Sequence, residues 1–225
     1  MATFSTTKTS ISTEVLIENV TKDVEVYFQN PRFDSSHDFV HVRRVLNLAT
    51  TILACEQSLR SSAGIPSLDS SLVVLGALLH DVGDYKYQKT DSEVITARSI
   101  LLEHGVSDDL AEKLQIIVDN VSYTHETRDP IAVAKLVEEI PELGIVQDAD
   151  RLDAIGAVGV GRCFTFGGAK SRSMEDTFAH FDVKLTKLEG MMKTETGRKM
   201  AKERTERLKK FMDWWKDEWS VIDEP

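Results

Sequence analysis

The stretch Leu72–Asp84, LVVLGALLHDVGD, decides how this chain folds. Its first eight residues, LVVLGALL, offer no polar face to any side of a helix. The run reads as a helix over about Ser70–Asp81. The run ends in His80-Asp81, and Gly83 stops it. An imidazole and a carboxylate carried into an apolar interior are costly to desolvate unless they find partners. A metal ion removes that cost, because it takes neutral imidazole and ionised carboxylate as ligands.

Two further segments carry the same residue types. Upstream lies His37-Asp38-Phe39-Val40-His41, at the start of a helix expected from His37 to about Arg60, with Val42, Val45, Leu46, Ala49, Ile52 and Leu53 as its apolar face. His37 and His41 are four apart and share one face of such a helix. Downstream lies Asp148-Ala149-Asp150-Arg151-Leu152-Asp153, on a long apolar helix expected over Ile145–Arg162. Asp148 and Asp150 point to opposed faces, so only one of them joins a given ion, and either can. Taken singly these features are bland: a histidine ending a core helix is usually a hydrogen-bonded core residue, and acids suit a helix's first turn. Their joint order on three separate apolar helices points to a mixed His/Asp metal site, which suits Mn, Fe, Co, Ni or Zn better than Ca or Mg.

The remaining sequence reads as helices. Ser12 is an N-cap candidate before a helix carrying Val15, Leu16, Val20, Val24 and Phe28, broken at Asn30-Pro31. Others are expected over 91–104, 108–123, 132–139, 177–189 and 194–219, with 166–173 as a mobile loop. No run alternates apolar and polar residues as a half-buried strand does. The expected fold is all-α, one domain over residues 13–222 after a loose tail at 1–12. Lys+Arg 27 against Asp+Glu 37 gives a net charge of −10, which opposes a nucleic-acid coat but leaves room for a local basic pocket. Two cysteines without a CxxC pair exclude a disulfide framework. No span of roughly 18 apolar residues and no signal-peptide pattern is present, so the cytoplasm is the expected location, with the nucleus kept open. Trp214, Trp215 and Trp219 anchor the last helix or mark a homodimer contact.

The order His41, His80-Asp81, Asp150 resembles the H…HD…D signature of the HD superfamily of metal-dependent phosphohydrolases. HDFVHVRRVLNLA, LGALLHDVGDYK, VQDADRLDAIGAVGVGRCFTFGG and the tail from FAHFDVKL to FMDWW resemble its branch of small stand-alone bacterial and fungal hydrolases, some of them nucleotide pyrophosphohydrolases. The likeness runs from about Asp34 to Trp219. It implies a single-domain helical bundle with the metal site between helices. It implies His41, His80, Asp81 and Asp150 as ligands of one divalent transition-metal ion, Mn first, with Co, Ni, Fe, Zn or Mg as alternatives. It places Asp84 where relatives carry a glutamate that orients or deprotonates water, and His37 where distant relatives keep a general acid. Lys86 and Arg44 suit a phosphate, and Arg151 either helps them or braces a helix. Asp153, on the same face as Asp150, contacts a ribose or supports a ligand from behind. Lys184 and His180 share one face of the helix after the loop and reach toward the site. The implied activity is hydrolysis of a phosphorylated small molecule, a nucleotide: (d)NTP to (d)NMP plus pyrophosphate. The alternatives are a nucleoside 5′-monophosphatase and a catalytically silent nucleotide-binding domain. No nucleic acid or membrane partner is expected.

Overall fold

The computed structural model describes residues 12–84 and 94–220. The expected tail therefore lies outside the described residues, except Ser12, as do Lys86 and residues 221–225. The described residues form eleven α-helices and no strand: α1 Thr13–Phe28, α2 Phe39–Ala63, α3 Ser70–Leu79, α4 Ala97–Glu103, α5 Asp108–Asp119, α6 Tyr123–Arg128, α7 Pro130–Glu139, α8 Pro141–Asp153, α9 Gly156–Ala169, α10 Met174–Val183 and α11 Glu195–Trp219, with a 3-10 segment Leu185–Met191 before the last.

Helix α3 sits at the centre, packed against both α2 and α8. Leu72, Leu75, Leu78 and Leu79 join a cluster with α1, α4 and α5 on one side. Val73 and Ala77 join a second cluster with Ile145, Ala149, Phe181 and Leu208 on the other. The apolar run has no polar face because neither of its sides meets water. Gly76 permits the close approach: a Cβ there would sit 3.1 Å from Ile117 Cγ2 and 3.3 Å from Val146 Cγ2. The centre of the bundle thus delivers His80 and Asp81 to the interior.

The ends of the helices follow their capping chemistry. The Ser12 hydroxyl accepts from Val15 N, as expected. Helix α2 begins at Phe39 and not at His37, because Asp38 is its N-cap and accepts from the His41 amide at 2.9 Å. His37 therefore lies before the helix, not on one face with His41. Of the helix expected over 91–104, residues 91–93 lie outside the described residues, and the described part is helical from Ala97, behind a Thr96–Ser99 capping box. The helix expected over 108–123 ends at Asp119, and Ser122 caps a separate turn, α6. The long helix expected over 145–162 is two helices broken at Ala154–Ile155, where Gly156 takes φ +74°. The expected loop at 166–173 is helical through Ala169. Trp215 stacks on Phe164, Phe178 and Trp219 with centroids 5.0–5.1 Å away, whereas Trp214 is exposed. No helix among the described residues is long and apolar enough to cross a membrane.

Candidate active site

Three elements bring four side chains to one point. His41 comes from the first turn of α2, where Asp38 holds its amide. His80 caps the C-terminus of α3, and Asp81 follows. Asp150 projects from α8. His41 Nε2 lies 3.2 Å from His80 Nε2, 3.4 Å from Asp81 Oδ2 and 3.5 Å from Asp150 Oδ1. His80 Nε2 lies 3.4 Å from Asp81 Oδ2 and 3.9 Å from Asp150 Oδ1.

The outer nitrogens explain why the inner ones meet. His80 Nδ1 donates to the Ala77 carbonyl at 2.8 Å, satisfying one of the unpaired carbonyls at the end of α3. His41 Nδ1 donates to Asp153 Oδ2 at 2.7 Å. Both rings thus turn their Nε2 atoms toward each other, where at most one proton fits between them. Asp81 Oδ2 is buried beside them and makes no hydrogen bond among the described residues. Burial alone would push His41 down, but Asp150, Asp153 and Asp81 outweigh it and hold it up to about 10. Burial likewise opposes the charge on Asp81, yet His80 and His41 keep that carboxylate well below its ordinary range. The pocket demands positive charge at the point where four donors converge.

A metal ion fits that demand. Donors about 2.1 Å from one ion lie about 3.0 Å apart at right angles and about 3.4 Å apart at the tetrahedral angle. His41, His80 and Asp81 offer atoms that all lie within 4.8 Å of one another, and can hold an ion. Two imidazoles with carboxylates favour a divalent transition metal.

Further residues surround the converging donors. Asp153 is 1% exposed and lies behind His41. Besides His41 it accepts from Arg44 Nε and Nη2 at 2.8 and 2.9 Å, and Arg162 Nη1 lies 3.3 Å away. Burial would raise the Asp153 carboxyl, but these partners hold it down to about 2. Arg44 is thereby engaged with Asp153 and not with the cleft. Arg151 is buried, bonded to Glu126 and to the Met191 carbonyl (3.0 Å), and braces α8. Lys193 adds a 2.6 Å bond to the same glutamate.

Asp148 takes the opposed face, as the two-residue spacing requires. It is fully buried and accepts from Lys193 N, Thr194 N and Thr194 Oγ1, each at 2.8 Å, at the start of α11. Asp148→Ala strands these donors and is expected to cost about 3 kcal/mol, a drop in Tm of about 6–12 °C. A thermal melt with and without Mn checks it. An unchanged Tm combined with lost metal binding would return the ligand role to Asp148.

Above the four donors opens a cleft of about 670 Å³. His37, Asp84, Arg128, Arg162, Arg172, His180 and Lys184 line it, together with Tyr123 and Phe166. Lys184 Nζ sits 4.7 Å from the Tyr123 ring centre, and the Arg172 guanidinium 5.5 Å from that of Phe166. Burial, then Lys184 and Arg172, push His180 below its ordinary value. Arg128, Arg162, Arg172 and Lys184 bring four cations to the cleft, alongside the carboxylates of Asp81, Asp84, Asp119 and Asp150, inside a chain of net charge −10. The sequence carries no mark for Arg128, Arg162 or Tyr123, because each reaches the cleft through helix breaks that its periodicity does not show.

Fold and site together define an all-helical protein with a His/Asp centre of metal-binding type at the floor of a cleft that carries four cations. The sequence pattern of the HD domain matches residues 38–155, more than half of the chain, and the chain belongs to the HD-domain family. It is 37% identical over 183 residues to the uncharacterized protein YpgQ of Bacillus subtilis (strain 168), covering 79% of this chain and 82% of that one. The crystal structure of YpgQ in complex with ADP matches 95% of this chain and 100% of its own, with a TM-score of 0.69 at 27% identity. An HD-superfamily hydrolase from Bacillus thuringiensis matches with a TM-score of 0.64 at 28% identity, over 93% of this chain and 99% of its own.

Proposed function

We propose that this chain is a divalent-metal-dependent phosphohydrolase acting on nucleotides, splitting a (d)NTP to (d)NMP and pyrophosphate, with His41, His80, Asp81 and Asp150 holding one ion, Mn foremost. The observation that carries the reading is the convergence of two imidazole Nε2 atoms and the unbonded Asp81 Oδ2 below a cleft walled by arginine and lysine. The YpgQ structure with ADP supports a nucleotide as the ligand. Several cations in one cleft favour a substrate with a chain of phosphates over a monophosphate.

A divalent ion at these donors supplies a Lewis acid that polarises a phosphoryl oxygen and acidifies water. The protein's own groups do the rest. Arg128, Arg172 and Lys184 offset the negative charge of the phosphate chain. Asp84, which follows the ligand pair and lines the cleft, takes a proton from the attacking water. His37, at the cleft wall, gives a proton to the oxygen that leaves phosphorus. Arg44 and Arg162 act at one remove, by holding Asp153 and through it His41.

The test is a panel of nucleoside tri-, di- and monophosphates offered to chelator-stripped protein with Mn, Co, Ni, Mg or Zn, with pyrophosphate and orthophosphate detected separately. Metal-dependent pyrophosphate release from triphosphates is expected. Orthophosphate from monophosphates would replace this reading by a 5′-monophosphatase. Stoichiometric metal binding without turnover of any nucleotide would leave a binding domain and end the hydrolase reading.

A further inference from the structure

The segment before α2 is built around a hydrogen-bonded chain. Asp34 Oδ1 accepts from the Ser36 amide at 2.9 Å and from the Ser36 hydroxyl. The Ser36 oxygen lies 2.7 Å from His37 Nδ1. A serine hydroxyl has a single proton. Since it is given to Asp34, Ser36 can only accept from His37, so His37 carries its proton on Nδ1. Ser36 is 1% exposed, so water does not compete for these bonds. The ring is also held from its sides: Phe166 lies 5.5 Å away between centroids and His41 6.0 Å. Finally, Arg162 Nε donates to the Ser36 carbonyl at 2.9 Å, while its other end pairs with Asp153. One arginine therefore ties the His37 segment to the residue that orients His41.

We propose that Asp34 and Ser36 are positioning residues for His37, fixing its Nδ1–H so that the proton it exchanges with the cleft travels through Nε2. This rests on the reading above, in which His37 protonates the leaving oxygen. As water oxygen bonds to phosphorus, the bond from phosphorus to the leaving oxygen breaks and its electron pair stays on that oxygen. His37 supplies a proton to it from Nε2, and Asp84 receives the proton that the water loses. Asp34, accepting from the Ser36 hydroxyl, and Ser36, accepting from His37, stabilise the charged ring without moving a proton themselves. The arrangement matters for a leaving group that needs a proton and is idle for one that does not.

The experiment compares the phenyl and p-nitrophenyl esters of a nucleoside 5′-monophosphate in the metal-loaded protein. It runs beside 15N NMR of the His37 ring without substrate. Ser36→Ala keeps the carbonyl that Arg162 binds and removes only the hydroxyl. It is expected to lower kcat about tenfold on the phenyl ester and less than twofold on the p-nitrophenyl ester. Ser36→Thr restores both, and Asp34→Asn behaves as a weaker Ser36→Ala. The ring is expected as the Nδ1–H form in the wild type and to lose that bias in Ser36→Ala. Equal losses on the two esters, or a ring form indifferent to Ser36→Ala, would overturn the proposal. A wild type that turns over neither ester nor any nucleotide instead removes the hydrolase reading, and the NMR result then judges the Asp34–Ser36–His37 chain by itself.

Discussion

Asp81→Asn is expected to abolish metal-dependent hydrolysis, by about 10³-fold or more in kcat/KM, in a chain that still folds. The substitution keeps the shape of the side chain and removes its charge. Asp81 Oδ2 is buried 3.4 Å from both Nε2 atoms and takes no hydrogen bond among the described residues. His80 and His41 hold this carboxylate below its ordinary range, so its charge contributes to the stability of the metal-free protein at neutral pH, and an amide gives up that contribution. The metal-free variant should thus melt somewhat below the wild-type temperature while still folding. What it loses is affinity for the ion, and with it about 4 kcal/mol of charge stabilisation, which is 10³-fold in rate. The thermal signature separates the two effects. Mn at about 100 times its Kd stabilises the wild type by about 2.7 kcal/mol, raising Tm by about 5–10 °C. Asp81→Asn should show no such rise and no ion by elemental analysis. His104→Ala is the control, because His104 pairs with Asp23 at 2.6 Å, away from the cleft. An Asp81→Asn protein that retains one tightly bound ion would refute the assignment.

How much of this was visible in the residues depends on what periodicity encodes. The apolar run of α3 was legible, and with it the desolvation that His80 meets at its end, where the ring is buried. Which of Asp148 and Asp150 faces the donors was not legible, since spacing fixes only that they oppose each other. Packing decides it: the start of α11 occupies one face and takes Asp148. The break after Asp153 was hidden for a different reason. Leu152, Ile155 and Val158 continue a helical rhythm, and a glycine within it reads equally as a weak helix residue or as a hinge. On an unbroken helix Asp153 and Arg162 would lie about 13 Å apart along the axis. Because Gly156 takes a left-handed conformation, α9 folds back and the two groups meet at 3.3 Å. His37 illustrates the same limit in reverse. Its four-residue spacing from His41 suggests a shared helix face, yet Asp38 caps α2 and leaves His37 to a loop held by Ser36 and Arg162.

Asp153→Asn is expected to weaken Mn binding by 10- to 100-fold and to be rescued by excess Mn, in contrast to Asp81→Asn. Asp153 touches no converging Nε2 atom. It sets which nitrogen of His41 carries the proton, through the 2.7 Å bond from Nδ1, and it is itself held by Arg44 and Arg162. An asparagine offers one accepting oxygen where the carboxylate offered two, and turns an NH2 group toward partners that are all donors. Whichever way the amide lies, a donor meets a donor, either at His41 Nδ1 or at the Arg44 fork. The His41 ring then loses its bias toward Nδ1–H, and the form protonated at Nε2 cannot bind an ion. Since that is an equilibrium within an intact donor set, raising the Mn concentration pulls it back. Titration of Mn against activity should therefore shift the midpoint by one to two decades while the plateau stays near the wild-type value. A depressed plateau at saturating Mn would instead place Asp153 among the ligands or against the substrate. Arg44→Met separates the remaining possibility. If Arg44 serves only Asp153, the variant shifts the Mn midpoint and leaves KM for the nucleotide unchanged. A raised KM at an unchanged Mn midpoint would show that the guanidinium leaves Asp153 for a phosphate when substrate enters the cleft.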